Sequence, residues 1–244
     1  MNPGLFIVGT PIGNLEDISK RTLDVLRLVN MILAEDTRHT RNLLNRYQIH
    51  GQLISCHKFN ENSRVQLTLN KIKSGNSVAL VTNAGMPCIS DPGARLITAC
   101  RKQGIFISVI PGPSSVTTAI ALCGFGGQRF LFEGFLSHKA TARKKRLTAL
   151  RVLPYPIVLF ESPYRCIKLL SDLKTIFDQR EILFARELTK INEECLWGTA
   201  SEIQDLFLAR GKKVDNARLV KGEIVVVIAP ASKTELKHID TKLT

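Results

Sequence analysis

Apolar, strand-like runs in this chain end repeatedly in loops of glycine, proline and small residues, and a helix-like segment follows each loop. In the longest example, the β-branched run 78–81 predicts a buried strand, and residues 82–85 end it. Pro92 and Gly93 then precede a predicted helix at 94–100, with Pro92 suited to the first helical position. Open α/β sheets bind ligands in loops at the carboxyl ends of their strands. The pattern therefore predicts an α/β fold with a ligand site, although one such loop alone could be an ordinary strand–helix connection.

Two further loops follow the same plan. Residues 9–15 come after a predicted strand at 5–8 and are glycine-rich, but they do not form the G-x-G-x-x-G pattern of nicotinamide-binding loops. Residues 111–115 come after a predicted strand at 105–110, and two prolines there fix the backbone around one glycine. This arrangement leaves serine hydroxyls and helix amides open to a polar ligand group, though a rigid turn with a serine cap would look the same. Repeated strand–loop–helix units predict a parallel sheet.

A glycine-rich segment predicts a boundary between two domains. The sequence Gly-Phe-Gly-Gly at 124–127 interrupts the pattern and predicts a linker. Strand–loop–helix units then resume, so we predict two α/β domains at 1–124 and 128–230, each with a mixed or mostly parallel sheet flanked by helices. The polar residues 231–244 are predicted to form a flexible tail.

Composition narrows the class of partner. The chain has 34 Lys and Arg against 21 Asp and Glu, a formal net charge of +13, which favours nucleic acid or an anionic membrane surface. No apolar run approaches the ~18 residues of a membrane span, and the first residues do not resemble a signal peptide. Six scattered cysteines without a C-x-x-C pair predict reduced thiols in a cytoplasmic protein and no metal site.

One predicted helix concentrates positive charge. Lys139, Arg143 and Arg146 recur at spacings that place them on one helical face, with Leu147 and Leu150 turned inward. Because no neighbouring acid compensates them, we predict that they contact phosphate groups. A solvated surface is the alternative interpretation.

Charged residues also gather in loops that follow strands. Glu35, Asp36 and Arg38 lie at a strand-to-helix corner, and Glu187 and Lys190 follow the strand predicted at 182–185. Acids commonly begin helices or pair with arginines such as Arg186, so each acid also has a structural interpretation.

Seven motifs in one order identify a resemblance. They are GTPIGNL, AEDTRHT, A-G-x-P-x-I-S-D-P-G, PGPS, ESPYR, ARELTK and KGE, and the resemblance covers residues 5 to about 229. Together they resemble the ribosomal RNA small-subunit methyltransferases of the tetrapyrrole methylase superfamily, the class III S-adenosylmethionine (SAM) methyltransferases. The resemblance implies a SAM cleft between two α/β domains, a homodimer and 2′-O-methylation of a decoding-centre cytidine in 16S rRNA.

The resemblance also implies positions that contact SAM, in loops of both halves of the chain. They are Pro11, Asn83, Ala84, Gly85, Met86, Ser114, Ser115, Ser162, Leu188, Gly222, Glu223 and Ile224. The family commonly has S-D-A-G-T-P where this chain has Thr-Asn-Ala-Gly-Met-Pro, so Asn83 lacks a carboxylate and Met86 lacks a hydroxyl. Tyr164 replaces a common histidine, which puts a proton-transfer role at that position in doubt.

The implied chemistry assigns roles to the charged loops. A ribose hydroxyl is a poor nucleophile, so a side chain that accepts its proton would help the reaction. The catalytic candidates are Glu35, Asp36, Arg38, Glu187 and Lys190. Arg38 and Arg41 are additional candidates for RNA binding beside the basic helix.

Three functions are compatible with the sequence. The first is RNA 2′-O-methylation, which the EDTRHT and ELTK motifs favour. The second is C-methylation of a tetrapyrrole, a substrate that is also anionic. The third is a ribosome-assembly protein that binds RNA without catalysis, and the departures at Asn83 and Met86 keep it open.

Overall fold

The computed structural model describes residues 1–211, 220–232 and 235. The chain forms two compact units, Met1–Ser114 and Ser115–Thr244. The sequence places the boundary at residue 124 instead, because it does not reveal where the helix Ser115–Cys123 packs. That helix contacts strands of the second unit, so the first unit ends before it. The predicted tail lies largely outside the described residues.

The first unit contains a five-stranded sheet in which the described pairings are all parallel, as predicted. Its strand order is β3-β2-β4-β1-β5. The strands are β1 Gly4–Val8, β2 Met31–Ala34, β3 Leu53–Ser55, β4 Ser77–Val81 and β5 Ile107–Ile110. The helices are α1 Lys20–Leu28, α2 Thr37–Arg46, α3 Glu61–Lys73 and α4 Ala94–Lys102. Both β2 and β4 are buried along their whole length, which explains their continuous apolar sequences.

The second unit contains a mixed sheet of order β6-β7-β10-β8-β9. The strands are β6 Leu131–Phe135, β7 Ile157–Glu161, β8 Glu181–Arg186, β9 Glu194–Thr199 and β10 Ile224–Ile228. The helices are α5 Ser115–Cys123, α6 Ala140–Leu150, α7 Cys166–Phe177 and α8 Ala200–Gly211. Because β10 runs antiparallel to β7 and β8, its first residue pairs with the last residue of each. The loops that follow β7 and β8 therefore share an edge with the segment that precedes β10.

The predicted fold class, two α/β domains with parallel or mixed sheets, is confirmed. Strands β3 and β9 were not predicted, and both lie at sheet edges with no fully buried residue. In the part of the chain that the structure describes, no helix is both long and apolar enough to cross a bilayer.

A side chain of α3 holds the start of α4. Gly93, not Pro92, directly precedes that helix, with φ at 130° and without a side-chain cap. The buried carboxylate of Glu61 accepts hydrogen bonds from the backbone N–H groups of Gly93, Arg95 and Leu96, at 3.1, 2.9 and 3.2 Å. It thus satisfies amides that the helix leaves unpaired and places negative charge at the positive end of the helix dipole.

Candidate functional site

The loops that follow β1, β4 and β5 meet at the carboxyl edge of the first sheet. The backbone N–H of Gly9 donates to the carbonyl of Ile110 over 3.0 Å. Thr10 and Gly85 exchange two backbone hydrogen bonds, of 2.9 and 3.1 Å. Hydrogen bonds therefore join the three loops that the sequence predicted. The predicted SAM-contacting residues 83–86 lie in one of them, the loop after β4.

Glycine is required where these loops cross. A Cβ atom on Gly9 would lie 2.7 Å from the backbone of Gly112 and 2.6 Å from the Sδ atom of Met86. A Cβ atom on Gly112 would lie 2.8 Å from the backbone of Gly9. Since all three distances are below a van der Waals contact, larger residues would push the loops apart. Met86, which departs from the family pattern, packs its thioether at this crossing.

The acidic corner after β2 is joined to the loop after β4. One carboxylate oxygen of Glu35 accepts hydrogen bonds from the hydroxyl of Thr82 at 2.9 Å and the backbone N–H of Asn83 at 3.4 Å. The side-chain oxygen of Asn83 accepts in turn from the backbone N–H of Asp36 at 3.2 Å. Glu35, a catalytic candidate, thus lies in contact with Asn83, a predicted SAM contact.

Asp36 and Arg38 form a separate, exposed ion pair. The Asp36 carboxylate accepts from the backbone N–H of Arg38 at 2.9 Å and so caps helix α2. It also accepts from the guanidinium at 2.9 and 3.2 Å. These hydrogen bonds from Arg38, above all the side-chain ones, lower the pKa of Asp36 to about 2. Asp36 is therefore a helix cap and a weak proton acceptor, while Arg38 and Arg41 are exposed to solvent.

In the second unit, Glu187, Lys190 and Glu223 form a connected cluster. The ammonium group of Lys190 donates to the carboxylates of Glu187 and Glu223, at 2.9 and 3.0 Å. The backbone N–H of Glu223 donates to the Glu187 carboxylate at 2.9 Å, and a backbone hydrogen bond of the same length runs from Glu187 to Glu223. Gly222 has φ at +91°, and a Cβ there would collide with the side chain of Glu187. The cluster therefore depends on glycine at that position.

Ionic hydrogen bonding decides the protonation states of this cluster. Burial acts to raise the pKa of Glu187, but the hydrogen bonds from Lys190 and the Glu223 N–H lower it overall. Burial acts to lower the pKa of Lys190, yet the two carboxylates raise it above its usual 10.5. At neutral pH Lys190 is a cation that donates hydrogen bonds, and Glu187 is already neutralised by it.

The predicted SAM contacts of the second unit lie at the shared edge of the second sheet. Ile224 pairs with Glu161 at the end of β7 and with Arg186 at the end of β8. Ser162 follows β7, and its backbone N–H donates to the buried Glu161 carboxylate at 2.7 Å. Leu188 is buried in the loop after β8, and Gly222 and Glu223 directly precede β10.

The structure corrects the prediction for the basic helix. Arg143 is buried, and its Nε atom lies 2.7 Å from a carboxylate oxygen of Asp172 on α7. Arg146 pairs with both carboxylate oxygens of Glu133, each at 2.7 Å. The prediction that no acid compensates these cations is therefore wrong. The sequence misled because Arg143 also has helical spacing to Leu147 and Leu150, so it lies on their buried face.

Sequence reasoning missed two threonines of the first site and the acid that holds the start of α4. Thr10 and Thr82 each sit one or two residues beyond a strand, and Glu61 begins α3. The signal for Thr82 was available: β2 and β4 are neighbours, so the residues after them must meet at one edge. Glu61 had no such signal, because its partners lie far along the chain.

Comparisons with known proteins agree with this architecture. Residues 4–204 match the family described as Tetrapyrrole (Corrin/Porphyrin) Methylases. The chain is 44% identical over 225 residues to the ribosomal RNA small subunit methyltransferase I of Thermotoga maritima, covering 92% of this chain and 97% of that protein. It is 40% identical to the protein of that name from Escherichia coli O157:H7, covering 92% and 77%.

Solved structures show the same fold at low sequence identity. A diphthine synthase is 16% identical with a TM-score of 0.69, covering 97% of this chain and 94% of that one. The uroporphyrin-III C-methyltransferase of Thermus thermophilus complexed with S-adenosyl homocysteine is 16% identical with a TM-score of 0.63, covering 97% and 99%.

The chain belongs to the tetrapyrrole methylase family and, within it, to the group of the ribosomal RNA small subunit methyltransferase I proteins. Membership makes it a methyltransferase whose cofactor is SAM.

Proposed function

We propose that this protein transfers a methyl group from SAM to the 2′-hydroxyl of a decoding-centre cytidine in 16S rRNA. The observation that carries the proposal is the 44% identity to a ribosomal RNA small subunit methyltransferase I over almost the whole length of both chains. The net charge of +13 supports it, because phosphate contacts supply most of the sequence-independent affinity for RNA. By resemblance, we also propose that the protein is a cytoplasmic homodimer. Sedimentation equilibrium can measure the mass of the dimer.

The first site suits a cationic ligand with polar ends. Loops that cross at Gly9 and Gly112 bring backbone groups and the carboxylate of Glu35 to one edge of the sheet. A carboxylate is suitable chemistry beside a sulfonium, which SAM carries. We propose that Pro11, the residues 83–86 and Ser114 contact SAM in the first unit. For the second unit we propose Ser115, Ser162, Leu188, Gly222, Glu223 and Ile224.

When bound, SAM supplies an electrophilic methyl group. The protein must then orient the ribose hydroxyl, exclude water and accept its proton. Among the acidic candidates, Asp36 is paired with Arg38 and Glu187 with Lys190, and both have lowered pKa values. Glu35 accepts only from Thr82 and Asn83 among the hydrogen bonds described above. We therefore propose Glu35 as the proton acceptor, while Lys190 is a hydrogen-bond donor and not a base.

Glu35→Gln tests this mechanism together with the substrate. The amide keeps an oxygen for Thr82 and Asn83 but cannot take a proton, so the rate constant should fall about 10²- to 10⁴-fold. SAM affinity should fall only about fivefold, from the lost attraction between the carboxylate and the sulfonium. The measurement uses labelled SAM with 30S subunits from cells that lack this methylation, followed by mapping of the modified ribose. Asp36→Asn is the matched control, because it removes a neighbouring carboxylate that we assign to capping.

The same assay separates the three functions left open by the sequence. Label in a cytidine ribose supports the proposal. Transfer to a uroporphyrin-type substrate and none to RNA would instead support the tetrapyrrole function, which the family description favours. RNA binding without any transfer would support the assembly protein. A Glu35→Gln variant with the wild-type rate would remove Glu35 from the mechanism.

A further inference from the structure

An aromatic ring stands open to solvent in the segment after β3. Phe59 is 92% exposed, although burying a phenyl ring is favourable. Single exposed apolar residues are common and need no function. The rigidity of this segment and the charge around it are what distinguish Phe59.

Hydrogen bonds fix the backbone on both sides of the ring. The side-chain oxygen of Asn60 accepts from the backbone N–H of His57 at 2.8 Å, and its amide donates to the Ser55 hydroxyl at 2.9 Å. The backbone N–H of Phe59 donates to the Nδ1 atom of His57 at 3.3 Å. The His57 ring meets the Phe59 ring edge-on, with centroids 6.1 Å apart and planes at 65°. Phe59 is therefore displayed on an ordered turn.

The ring lies beside the acidic corner described above. Strand β3 pairs in parallel with β2, and the backbone N–H of Cys56 donates to the carbonyl of Ala34 at 2.8 Å. Segments that follow neighbouring parallel strands leave the sheet at the same edge. The turn that carries Phe59 therefore emerges next to the corner of Glu35 and Arg38.

The residues next to the ring in the chain are polar, and one of them is a cation. Lys58 is exposed and residues 55–60 contain no acid; the side chain of Arg38 at the neighbouring corner is 89% exposed, although its guanidinium pairs with Asp36. An apolar protein partner would require a wider apolar surface than one ring among Lys, His and Asn. An exposed aromatic ring next to an exposed lysine matches single-stranded nucleic acid, in which bases stack on rings while phosphates meet basic side chains.

We propose that Phe59 stacks against an unpaired nucleobase of the RNA substrate, next to the catalytic edge of the first unit. This inference rests on the proposed function, since it needs RNA as the substrate. It adds a specific positioning residue: Phe59 would hold a neighbouring base so that the target ribose stays extended from its RNA strand.

The test compares Phe59→Ala, Phe59→Leu and Phe59→Trp. The probe is a single-stranded oligoribonucleotide that contains 2-aminopurine, whose fluorescence falls when the base stacks. We expect Ala and Leu to weaken binding about 5- to 150-fold and to abolish the quenching, whereas Trp retains both. The salt dependence should stay unchanged in these variants, while Lys58→Gln lowers its slope by about one ion.

Leu28→Ala is the matched control. Leu28 is 62% exposed and ends α1, just before β2 begins, so it lies at the opposite edge of the same sheet. It should leave RNA binding unchanged, and SAM titration should show that every variant is folded.

The possible outcomes distinguish a failure of the stacking role from a failure of the proposed methyltransferase function. A wild-type protein that neither binds RNA nor methylates it overturns both. A wild-type protein that methylates 30S subunits while Phe59→Ala binds the probe normally overturns only the stacking role. Binding of the probe by Phe59→Leu as tight as by the wild type would indicate an apolar contact without base stacking, and would also overturn it.

Discussion

Single side chains explain how the departures at Asn83 and Met86 are accommodated. Met86 fills the crossing of two glycine-containing loops, which a threonine hydroxyl would not fill in the same way. Asn83 uses its side-chain oxygen to accept from the Asp36 backbone N–H. A carboxylate could accept the same hydrogen bond, so asparagine here changes the charge of the site more than its geometry.

Restoring the acid with Asn83→Asp should leave SAM affinity equal or raise it up to about fivefold. The physical reason is that a partly exposed carboxylate facing a cation contributes about 1 kcal/mol. Titration calorimetry measures the effect, and Asn83→Ala is the control that removes the hydrogen bond to Asp36 without adding charge. A tenfold loss in Asn83→Asp would show that repulsion from Glu35, which binds the backbone of the same residue, outweighs the attraction.

At the scale of elements, the sequence predicted the buried strands and the loops that follow them. It missed the short edge strands and the contacts between residues that lie far apart in the chain. The strands β1, β2, β4 and β10 are buried and apolar, so their continuous apolar runs identified them. Strands β3 and β9 lie at sheet edges and carry mixed residues, so no pattern marked them. The loops of the candidate site were predicted by position, but their crossing depends on strand order, which a sequence does not state.

In helix α6, too, the sequence did not show how the helix packs. The packing leads to a prediction for Arg143. Spacing alone allowed Arg143 to join either the basic face or the face of Leu147, and only the packing of α6 on α7 decided between them. Arg143→Met should lower the free energy of unfolding by about 3–5 kcal/mol, because Asp172 would remain buried with only the longer ion pair to the exposed Lys144, at 3.6 Å. Urea denaturation measures this loss.

Two further variants are controls for Arg143→Met. Arg143→Met combined with Asp172→Leu should recover much of the stability, since no buried charge is then left unpaired. Arg146→Gln breaks an ion pair whose arginine is half exposed, so it should cost about 1 kcal/mol or less. Equal losses for Arg143→Met and Arg146→Gln would contradict the structural role of the buried pair. Lys139, which is exposed, remains proposed for RNA contact on this helix.

Across the whole molecule, lowered carboxylate pKa values are distributed unevenly. In the described residues, the glutamates with a lowered pKa all belong to the second unit. They are Glu187, Glu194, Glu202 and Glu235. In the first unit Asp36 alone shows such a shift, and it is exposed. The second unit should therefore be the more sensitive to acid.

The direction of the pH effect follows from linkage. A carboxylate whose pKa is lower in the folded state than in the unfolded one stabilises the fold fully above the unfolded value, here 4.5. That stability is lost as the pH falls through the folded value, because the folded state must then take up protons. For Glu194 the physical cause is hydrogen bonding from Arg186 and Arg210, at 2.7 and 2.6 Å, which outweighs its burial.

Lowering the pH from 6 to 3.5 should therefore increase amide hydrogen exchange in β8, β9 and α8 before it increases exchange in β1, β2 and β4. Hydrogen-exchange mass spectrometry after a short pulse, corrected for the intrinsic pH dependence of exchange, resolves the two units by peptide. Glu194→Gln is the matched variant: it keeps the size of the side chain but removes the charge that titrates. This variant should be less stable at pH 6 and lose less additional stability on acidification than the wild type, because the ion pairs with Arg186 and Arg210 are already absent. Simultaneous loss of protection in both units would indicate that repulsion from the large net positive charge, and not these particular carboxylates, controls acid unfolding.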